Sequence, residues 1–457
     1  MGAAMFALTL LGALAKPPDA GAFCGFYVGK ADASLINKAS QVVIARHENR
    51  TVISLMNDYE GEPREFALVV PVPTVLKQGQ VHIGDRELFR KLDSYSAPRL
   101  VEYFDPDPCA MAQAYGMMQK SAEADMAGAV SRTRENARSL GITIEAQYTV
   151  GEYDIVILSA KDSAGLETWL IESGYRIPSG AGDALRPYIK QEMKFFVAKV
   201  NLGEQKRTGL TYLRPLQFAF ESPKFMLPVR LGMINAQGPQ ELVIYVLTRD
   251  GRVEATNYRT EMLPTDAELP EYVRDDFGSF YKAMFGRLAE RNSMSTMFTE
   301  YVWNMGWCDP CAGPPLRAQE LLSLGVFWLE DDGGVQPQGR GARPMIFPQP
   351  SGGPVPVMVT RLRVRYTRES FPEDPVFQET SDQQNYQARY VLRRAWKGSP
   401  EACPAAKPYF REVERRRVRE AETLASLTGW DVNEVIRKAG VSGGAAKSRP
   451  WWATMWE

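Results

Sequence analysis

Histidine is scarce in this sequence, whose 457 residues include only His47 and His82. Ser-His-Asp and Cys-His hydrolysis both need a histidine beside the nucleophile, and zinc sites need four ligands, usually Cys or His. His47 lies in a charged turn and His82 in a short strand-like stretch, so we expect both to be exposed or edge residues. The sequence also has no Walker-type loop. These absences disfavour zinc binding and leave a hydrolase with an unrecognised site as a second alternative function.

The sequence lacks both a charge excess and, beyond its first residues, a long apolar run. Lys and Arg number 54 against 55 Asp and Glu, for a net charge of −1. That balance provides no field to attract nucleic acid or an acidic membrane. A membrane span needs roughly 20 apolar residues. We therefore expect no nucleic-acid partner, no transmembrane span in the mature chain and no cofactor, while an envelope or surface partner stays open.

The first 15 residues are apolar and carry no charged side chain. This length matches the core of a signal peptide, and Ala20-Gly21-Ala22 provides a small-x-small cleavage site. We predict a signal peptide over residues 1–22 and an extracytoplasmic protein, in the periplasm, in the cell envelope or secreted. The alternative is an apolar N-terminus that is buried in the fold.

Five cysteines would remain after cleavage, and all five are disulfide candidates: Cys24, Cys109, Cys308, Cys311 and Cys403. An odd number in an oxidising compartment leaves at least one thiol unpaired or bonded to another chain. We predict a bond between Cys24 and Cys109, because they flank the first β block and because Cys24 would otherwise lie in a fraying terminus. A bond between Cys24 and Cys403 is the main alternative.

Trp307-Cys308-Asp309-Pro310-Cys311 is the most distinctive motif. A W-C-x-x-C motif between a strand and a helix is typical of thiol-disulfide oxidoreductases, whose helix N-terminus lowers the pKa of the attacking thiol. Here Gly313-Pro314-Pro315 delays the following helix to about Leu316, no basic residue lies between Asn304 and Pro315, and Asp309 separates the thiols. We expect Cys308 and Cys311 to be structural, bonded to each other or one of them to Cys403. A redox role for the pair is the first alternative.

The acidic turn Asp105-Pro106-Asp107-Pro108 could suggest calcium. Calcium needs more oxygen ligands than this segment supplies. We interpret it as a proline-locked turn with Cys109 in a disulfide.

Hydrophobic periodicity predicts an α+β fold in which β-rich subdomains alternate with helices and the C-terminus is helical. The predicted divisions are an N-terminal β block with helices at 23–140, a central region with a second β block and the Cys pair at 141–330, a Gly/Pro linker or long loop at 331–356, and C-terminal strand and helices at 357–457. Residues 225–229 echo 66–72, as a weak internal repeat or by chance.

Several segments together resemble a secreted bacterial family known as a domain of unknown function, DUF2330. They are FCGFYV at 23–28, EFALVVPVP at 65–73, PRLVEYFD at 98–105, WCDPC at 307–311 and QARYVL at 387–392. The resemblance extends over nearly the whole mature chain. It implies an exported bacterial protein and supplies no catalytic residue. We expect a structural or binding role outside the cytoplasm, and a non-enzyme is favoured.

Overall fold

The computed structural model describes residues 26–29, 40–56, 66–110, 143–173, 180–208, 212–236, 238–310, 312–331 and 355–440. Its strands are β1 (Phe26–Gly29), β2 (Ser40–His47), β3 (Arg50–Met56), β4 (Phe66–Val72), β5 (Val81–Ile83), β6 (Arg99–Phe104), β7 (Thr143–Val150), β8 (Tyr153–Ser159), β9 (Lys194–Val200), β10 (Leu216–Glu221), β11 (Gln240–Thr248), β12 (Val253–Ala255), β13 (Arg259–Met262), β14 (Ala267–Leu269), β15 (Thr296–Asn304), β16 (Met358–Tyr366), β17 (Phe377–Glu379), β18 (Tyr386–Gln387) and β19 (Arg389–Arg394).

The helices are α1 (Arg86–Ser96), α2 (Ser163–Glu172), α3 (Ala181–Lys190), α4 (Leu202–Thr208), α5 (Phe277–Arg291), α6 (Ala318–Ser323), α7 (Trp328–Asp331), α8 (Ala406–Thr428) and α9 (Val432–Lys438). Short polar side chains begin several of them, because they accept hydrogen bonds from the unsatisfied N–H groups of the first turn. The Asp85 carboxylate accepts from the Glu87 N–H at 2.8 Å at the start of α1.

The large sheet has the strand order β13-β15-β16-β11-β2-β3-β10-β5, with β18 paired to β15. In chain order, its first two strands form the hairpin β2–β3, whose β-branched side chains suit a pleated surface. β11 lies parallel to β2, and its residues Val243–Leu247 are buried on both faces of the sheet. A strand buried on both faces needs a second layer on each side.

The second sheet has the order β1-β4-β9-β8-β7 and packs face to face on the large sheet. Every pairing in it is antiparallel, so side chains alternate between its inner and outer faces. The inner faces of the two sheets form one apolar core, in which Ile44, Ile53, Leu68, Ile155 and Phe196 are all buried.

Helices cover the outer faces of both sheets. Leu166 and Leu170 of α2 and Tyr188 of α3 pack on the second sheet. Helices α1, α6 and α7 pack on the large sheet, where Phe89 and Trp328 are buried. The described residues therefore build four layers: helices, sheet, sheet and helices.

The small sheet, β14-β19-β6, is parallel and joins α5, α8 and α9 beside β15 and β16. These elements share a separate apolar cluster, which we call the C-terminal cluster. Its buried residues are Leu263, Leu269, Val273, Phe280, Met284, Phe285, Ala289, Phe298, Ala388, Tyr390, Leu392, Ala421, Leu424, Val435 and Ile436. The family-like segments at 98–105 and 387–392 thus lie on adjacent strands.

The α+β prediction is confirmed, and the C-terminal helices at 406–428 and 432–438 lie where they were predicted. Within the central region, β14 and a short 3-10 turn directly precede α5. Segment 225–229 forms only a single bridge, between Met226 and Val376, and no strand, so it does not repeat β4. Most of the predicted linker at 331–356 lies outside the described residues.

Candidate binding cavity between the two sheets

An apolar cavity of about 150 Å³ lies between the two sheets. The large sheet contributes side chains from β3 and β10, and the second sheet contributes the end of β4. The lining residues are Ile53, Leu55, Val70, Pro71, Pro73, Gln191, Met193, Phe218, Phe220, Ser222, Pro223, Lys224, Met226, Leu227 and Pro228. Protein interiors are normally packed with few voids larger than a water molecule, so a cavity of this size is a distinct feature.

Incomplete strand pairing explains why the space stays unfilled. β5 pairs with β10 only from Leu216 to Phe218, so among the described residues Phe220 has no strand on that side. β1 likewise pairs with β4 only as far as Val69, and Pro71 lies beyond it. Proline has no N–H to donate to a further strand. Each sheet is therefore unfinished at the point where it borders the cavity.

One side of the cavity is a loop of residues 222–228, which we call the cavity loop. The N–H of Ser222 donates to the Asn49 carbonyl at 2.8 Å, which ties the loop to the tip of the β2–β3 hairpin. At the other end the N–H of Leu227 donates to the Pro375 carbonyl at 3.1 Å, and the N–H of Phe377 donates to the Phe225 carbonyl at 2.7 Å. The loop is therefore held at both ends by backbone hydrogen bonds.

Arg46 fixes the start of the cavity loop from beneath. Its buried guanidinium donates to the Ser222 carbonyl at 3.2 Å and to the Thr51 hydroxyl at 2.7 Å, and it lies 4.8 Å from the centre of the Phe225 ring. Burial lowers the pKa of Arg46, and the charge of Glu379 opposes that effect. An arginine held by these contacts is a structural anchor of the loop.

Lys224 is the only charged side chain among the described residues that line the cavity. It is exposed, and its ammonium donates to the Gln191 side-chain oxygen at 2.8 Å. The Gln191 amide nitrogen donates to the Pro187 carbonyl at 3.2 Å, which orients the amide oxygen towards Lys224. An ammonium has three hydrogens to donate. Two of them are left for a ligand after the contact with Gln191.

A polar groove of about 610 Å³ adjoins the cavity and shares Gln191, Pro223, Lys224 and Met226 with it. The groove adds Arg46, Glu48 and Glu379. Burial raises the pKa of Glu379, which accepts hydrogen bonds from the N–H groups of Asp250 and Gly251. The cavity is thus apolar inside, and the surface next to it carries both signs of charge.

The predicted pairing of Cys24 with Cys109 is wrong, because Cys109 is bonded to Cys403. The alternative bond between Cys24 and Cys403 is wrong for the same reason. The error came from treating Cys109 as the end of the N-terminal block. The strand before it, β6, pairs with β19, which brings the C-terminal part of the chain beside it. Cys24 lies outside the described residues.

The Trp-Cys-x-x-Cys motif follows β15, as predicted, and α6 begins two residues after Leu316. Cys308 is exposed and carries a free thiol, so neither predicted bond of Cys308, to Cys311 or to Cys403, is present. Cys311 lies outside the described residues. The Asp309 carboxylate accepts from Tyr301 at 3.0 Å and from Gln387 at 2.9 Å, which fixes the loop. Trp307 is 56% exposed, so it does not cover the loop.

The remaining sequence candidates have structural roles. His82 is exposed on the edge strand β5, as predicted, whereas His47 is partly buried, 5.8 Å from the ring of Trp328. Asp107 accepts from the Cys109 N–H at 2.8 Å, which confirms the turn. Asp105 pairs with Arg416 at 2.8 Å. In the described part of the chain no group of three or more His, Cys, Asp or Glu residues is arranged to hold a metal ion.

Sequence reasoning missed the cavity and Lys224. The segment around Lys224 was noticed only for its likeness to 66–72. The proline pairs in these two segments were a usable signal, because proline limits further strand pairing. Pro71 and Pro228 now face the same cavity. The spatial meeting of the two segments could not be inferred from their spacing in the chain.

No described helix is both long and apolar enough to cross a bilayer. Searches of curated proteins and of solved structures find no match for the chain. The model of one family, described as an uncharacterized protein conserved in bacteria (DUF2330), matches residues 18–378. The match includes every residue that lines the cavity and ends before β19, so the segment at 387–392 lies outside it. The chain therefore belongs to the DUF2330 family.

Proposed function

We propose that this chain is an exported binding protein that holds a small apolar molecule, or the apolar part of one, between its two sheets. The observation that supports the proposal is the cavity of about 150 Å³ with its mostly apolar lining. Cavities of about this size lined by aliphatic and aromatic side chains stay dry and accept molecules the size of benzene. Ligand sites in general are mostly apolar with a few placed polar groups.

An extracytoplasmic location is part of this proposal. The Cys109–Cys403 disulfide fits an oxidising compartment, where such bonds form and persist. The apolar first 15 residues and the Ala20-Gly21-Ala22 site support export. N-terminal sequencing of the protein from its native host tests this part. A chain that keeps Met1 and stays in the cytoplasmic fraction would contradict it.

The cavity itself is tested with toluene as a neutral probe. Bound toluene stabilises the folded state, so at about ten times its dissociation constant it should raise the melting temperature by about 1–2 °C. Met226→Trp places a larger side chain at the cavity and should abolish the rise. The matched control is Met262→Trp, at an exposed residue that does not line the cavity. No binding of toluene to the wild type, or equal binding to Met226→Trp, would refute the cavity as a site.

A further inference from the structure

We propose that the ligand is a monocarboxylate with a small aromatic or short alkyl group, whose carboxylate binds Lys224 while its apolar end fills the cavity. This inference rests on the proposed function, because it assigns the chemistry of the ligand to the same cavity. It concerns the charge of the ligand, which the apolar lining alone does not determine.

The charge of the described cavity lining is positive. The described lining contains Lys224 and no acidic residue. A cation next to an apolar space favours an anion and disfavours another cation. A neutral apolar molecule would leave this charge without a counterpart.

Lys224 has no carboxylate partner among the residues that the structure describes. Among the described residues its polar contact is the Gln191 amide oxygen at 2.8 Å, and no ion pair includes it. Two lysines elsewhere on the molecule do have carboxylate partners: Lys91 lies 2.6 Å from Glu320, and Lys438 lies 2.9 Å from Glu434. Charge-assisted hydrogen bonds are stronger than neutral ones, so an incoming carboxylate would improve on the amide contact.

The backbone of Lys224 is fixed beside the cavity, and the contact with Gln191 orients its ammonium. The backbone N–H of Lys224 donates to the Ser222 hydroxyl at 3.1 Å, within a cavity loop that is anchored at both ends. Gln191 is fixed in turn at the end of α3 by its contact with the Pro187 carbonyl. Both partners of this contact are therefore held next to the apolar space before a ligand arrives, which reduces the entropy cost of binding.

The size and charge together point to a carboxylate with one negative charge. The groove next to the cavity adds Glu48 and Glu379, whose acidic side chains oppose a second negative charge on the ligand. Its arginine, Arg46, is already engaged by the Ser222 carbonyl and Thr51. Phosphate recognition typically uses a bidentate arginine or several donors, and a single lysine offers only a point charge.

The test compares benzoate, toluene and benzylamine, which share a ring and differ in charge. Calorimetric titration of the full-length mature protein at neutral pH should give benzoate the tightest binding, about ten-fold tighter than toluene, and benzylamine the weakest. Lys224→Met keeps an unbranched chain without the charge, and it should reduce benzoate binding about ten-fold while leaving toluene binding unchanged. Lys161→Met, at an exposed lysine away from the cavity, is the matched control. Circular dichroism checks that each variant is folded.

Two different failures are distinguishable in this design. If toluene binds but benzoate binds no tighter, or Lys224→Met leaves benzoate binding unchanged, the inference about the carboxylate falls while the cavity stands. If none of the three probes binds the wild type, the proposed function falls as well. If benzylamine binds best, the assignment of the charge is wrong.

Discussion

The two faces of β16 are buried by different kinds of contact, apolar on one face and charged on the other. Towards the second sheet it presents Leu362, Val364 and Tyr366, which belong to the apolar core beside the cavity. Towards the helices it presents Arg361, Arg363 and Arg365 at the alternate positions. Because side chains of a strand alternate, a single nine-residue segment contributes to both environments.

The arginine face is a connected network. Arg361 pairs with the fully buried Glu300 and lies 2.8 Å from Asp93, whose carboxylate also accepts from Tyr245 at 2.6 Å. The network continues along the strand, where Arg363 and Arg365 both pair with Glu241.

Aromatic side chains of α5 cover the same arginines: Arg363 lies 4.6 Å from the centre of the Phe285 ring and 5.2 Å from that of Tyr281. The network thus lies between α1 and α5 and links their separate apolar clusters to one strand.

The comparison teaches how each face responds to a missing group. Apolar contacts are non-directional, so losing some of them costs an amount that grows with the space left behind. A buried charge that loses its partner keeps the full cost of desolvation. We therefore expect the apolar face to tolerate the loss of some contacts, as the neighbouring cavity shows. On the arginine face, we expect the loss of one charged partner to be strongly destabilising.

The largest effect is expected for Arg361→Met. It leaves the buried Glu300 carboxylate without its main partner, and removing one member of a buried pair costs about 3–5 kcal/mol of the free energy of unfolding. Chemical denaturation measures the loss. Arg361→Met combined with Glu300→Leu should cost less than the sum of the two single changes by about 1–3 kcal/mol. Additive losses would mean that the pair is not coupled.

On the inner face, Leu362→Ala should cost about 2–4 kcal/mol, because a fully buried leucine loses its contacts and leaves a cavity. Leu362→Met keeps the volume and should cost less than about 1.5 kcal/mol. The same denaturation measurement applies. A loss larger than that of Arg361→Met would reverse the ranking of the two faces.

Breaking the Cys109–Cys403 bond should cost about 2–3 kcal/mol, within the typical range for a native disulfide. The bond joins the end of β6 to the segment before α8, so the loss should appear first in the C-terminal cluster. In the double variant Cys109→Ser/Cys403→Ser, hydrogen exchange should therefore be faster in β19 and α8, while the apolar core between the two sheets stays protected. Uniform loss of protection would show that both regions unfold as one unit.

The smallest effect is a dependence on pH at Glu420, a buried residue of α8. Burial raises its pKa to about 7, against the opposing attraction of Arg416. A carboxyl whose pKa is raised by folding contributes stability that is complete below its unfolded pKa and is lost as the pH rises through its folded pKa. We expect the free energy of unfolding to fall by about 1–2 kcal/mol between about pH 4.5 and 7, from the ordinary pKa of a glutamate to its folded value, with allowance for solvent screening.

Glu420→Gln should remove most of this dependence, because the amide does not titrate. Glu422→Gln, at an exposed position of the same helix, is the control and should leave the dependence in place. Denaturation at several pH values distinguishes them. An unchanged slope in Glu420→Gln would assign the effect to another group.

Local signals determined how much of this structure could be predicted from the sequence. The hairpin β2–β3 and the helix N-cap Asp85 were predictable because neighbouring residues define them. The alternation of apolar residues and arginines in 361–366 also indicates a strand with its arginines on one face. What those arginines contact could not be predicted, because Glu300 and Asp93 come from distant segments.

The candidate site was harder to predict for the same reason. The cavity depends on where β1 and β5 stop pairing, and pairing between distant strands leaves little trace in either sequence. The disulfide shows this most directly, since the partner of Cys109 is 294 residues away. Spacing along the chain favoured Cys24 as the partner of Cys109, whereas the parallel pairing of β6 with β19 brings the segment of Cys403 close to Cys109.

The pairing of β6 with β19 also determines when, during synthesis, the fold can be completed. β6 lies early in the chain, and its only strand partner among the described residues, β19, lies near the end. At about 5–20 residues per second of synthesis, the 294 residues between Cys109 and Cys403 take roughly 15–60 s to emerge. For that interval Cys109 is a thiol whose native partner does not yet exist.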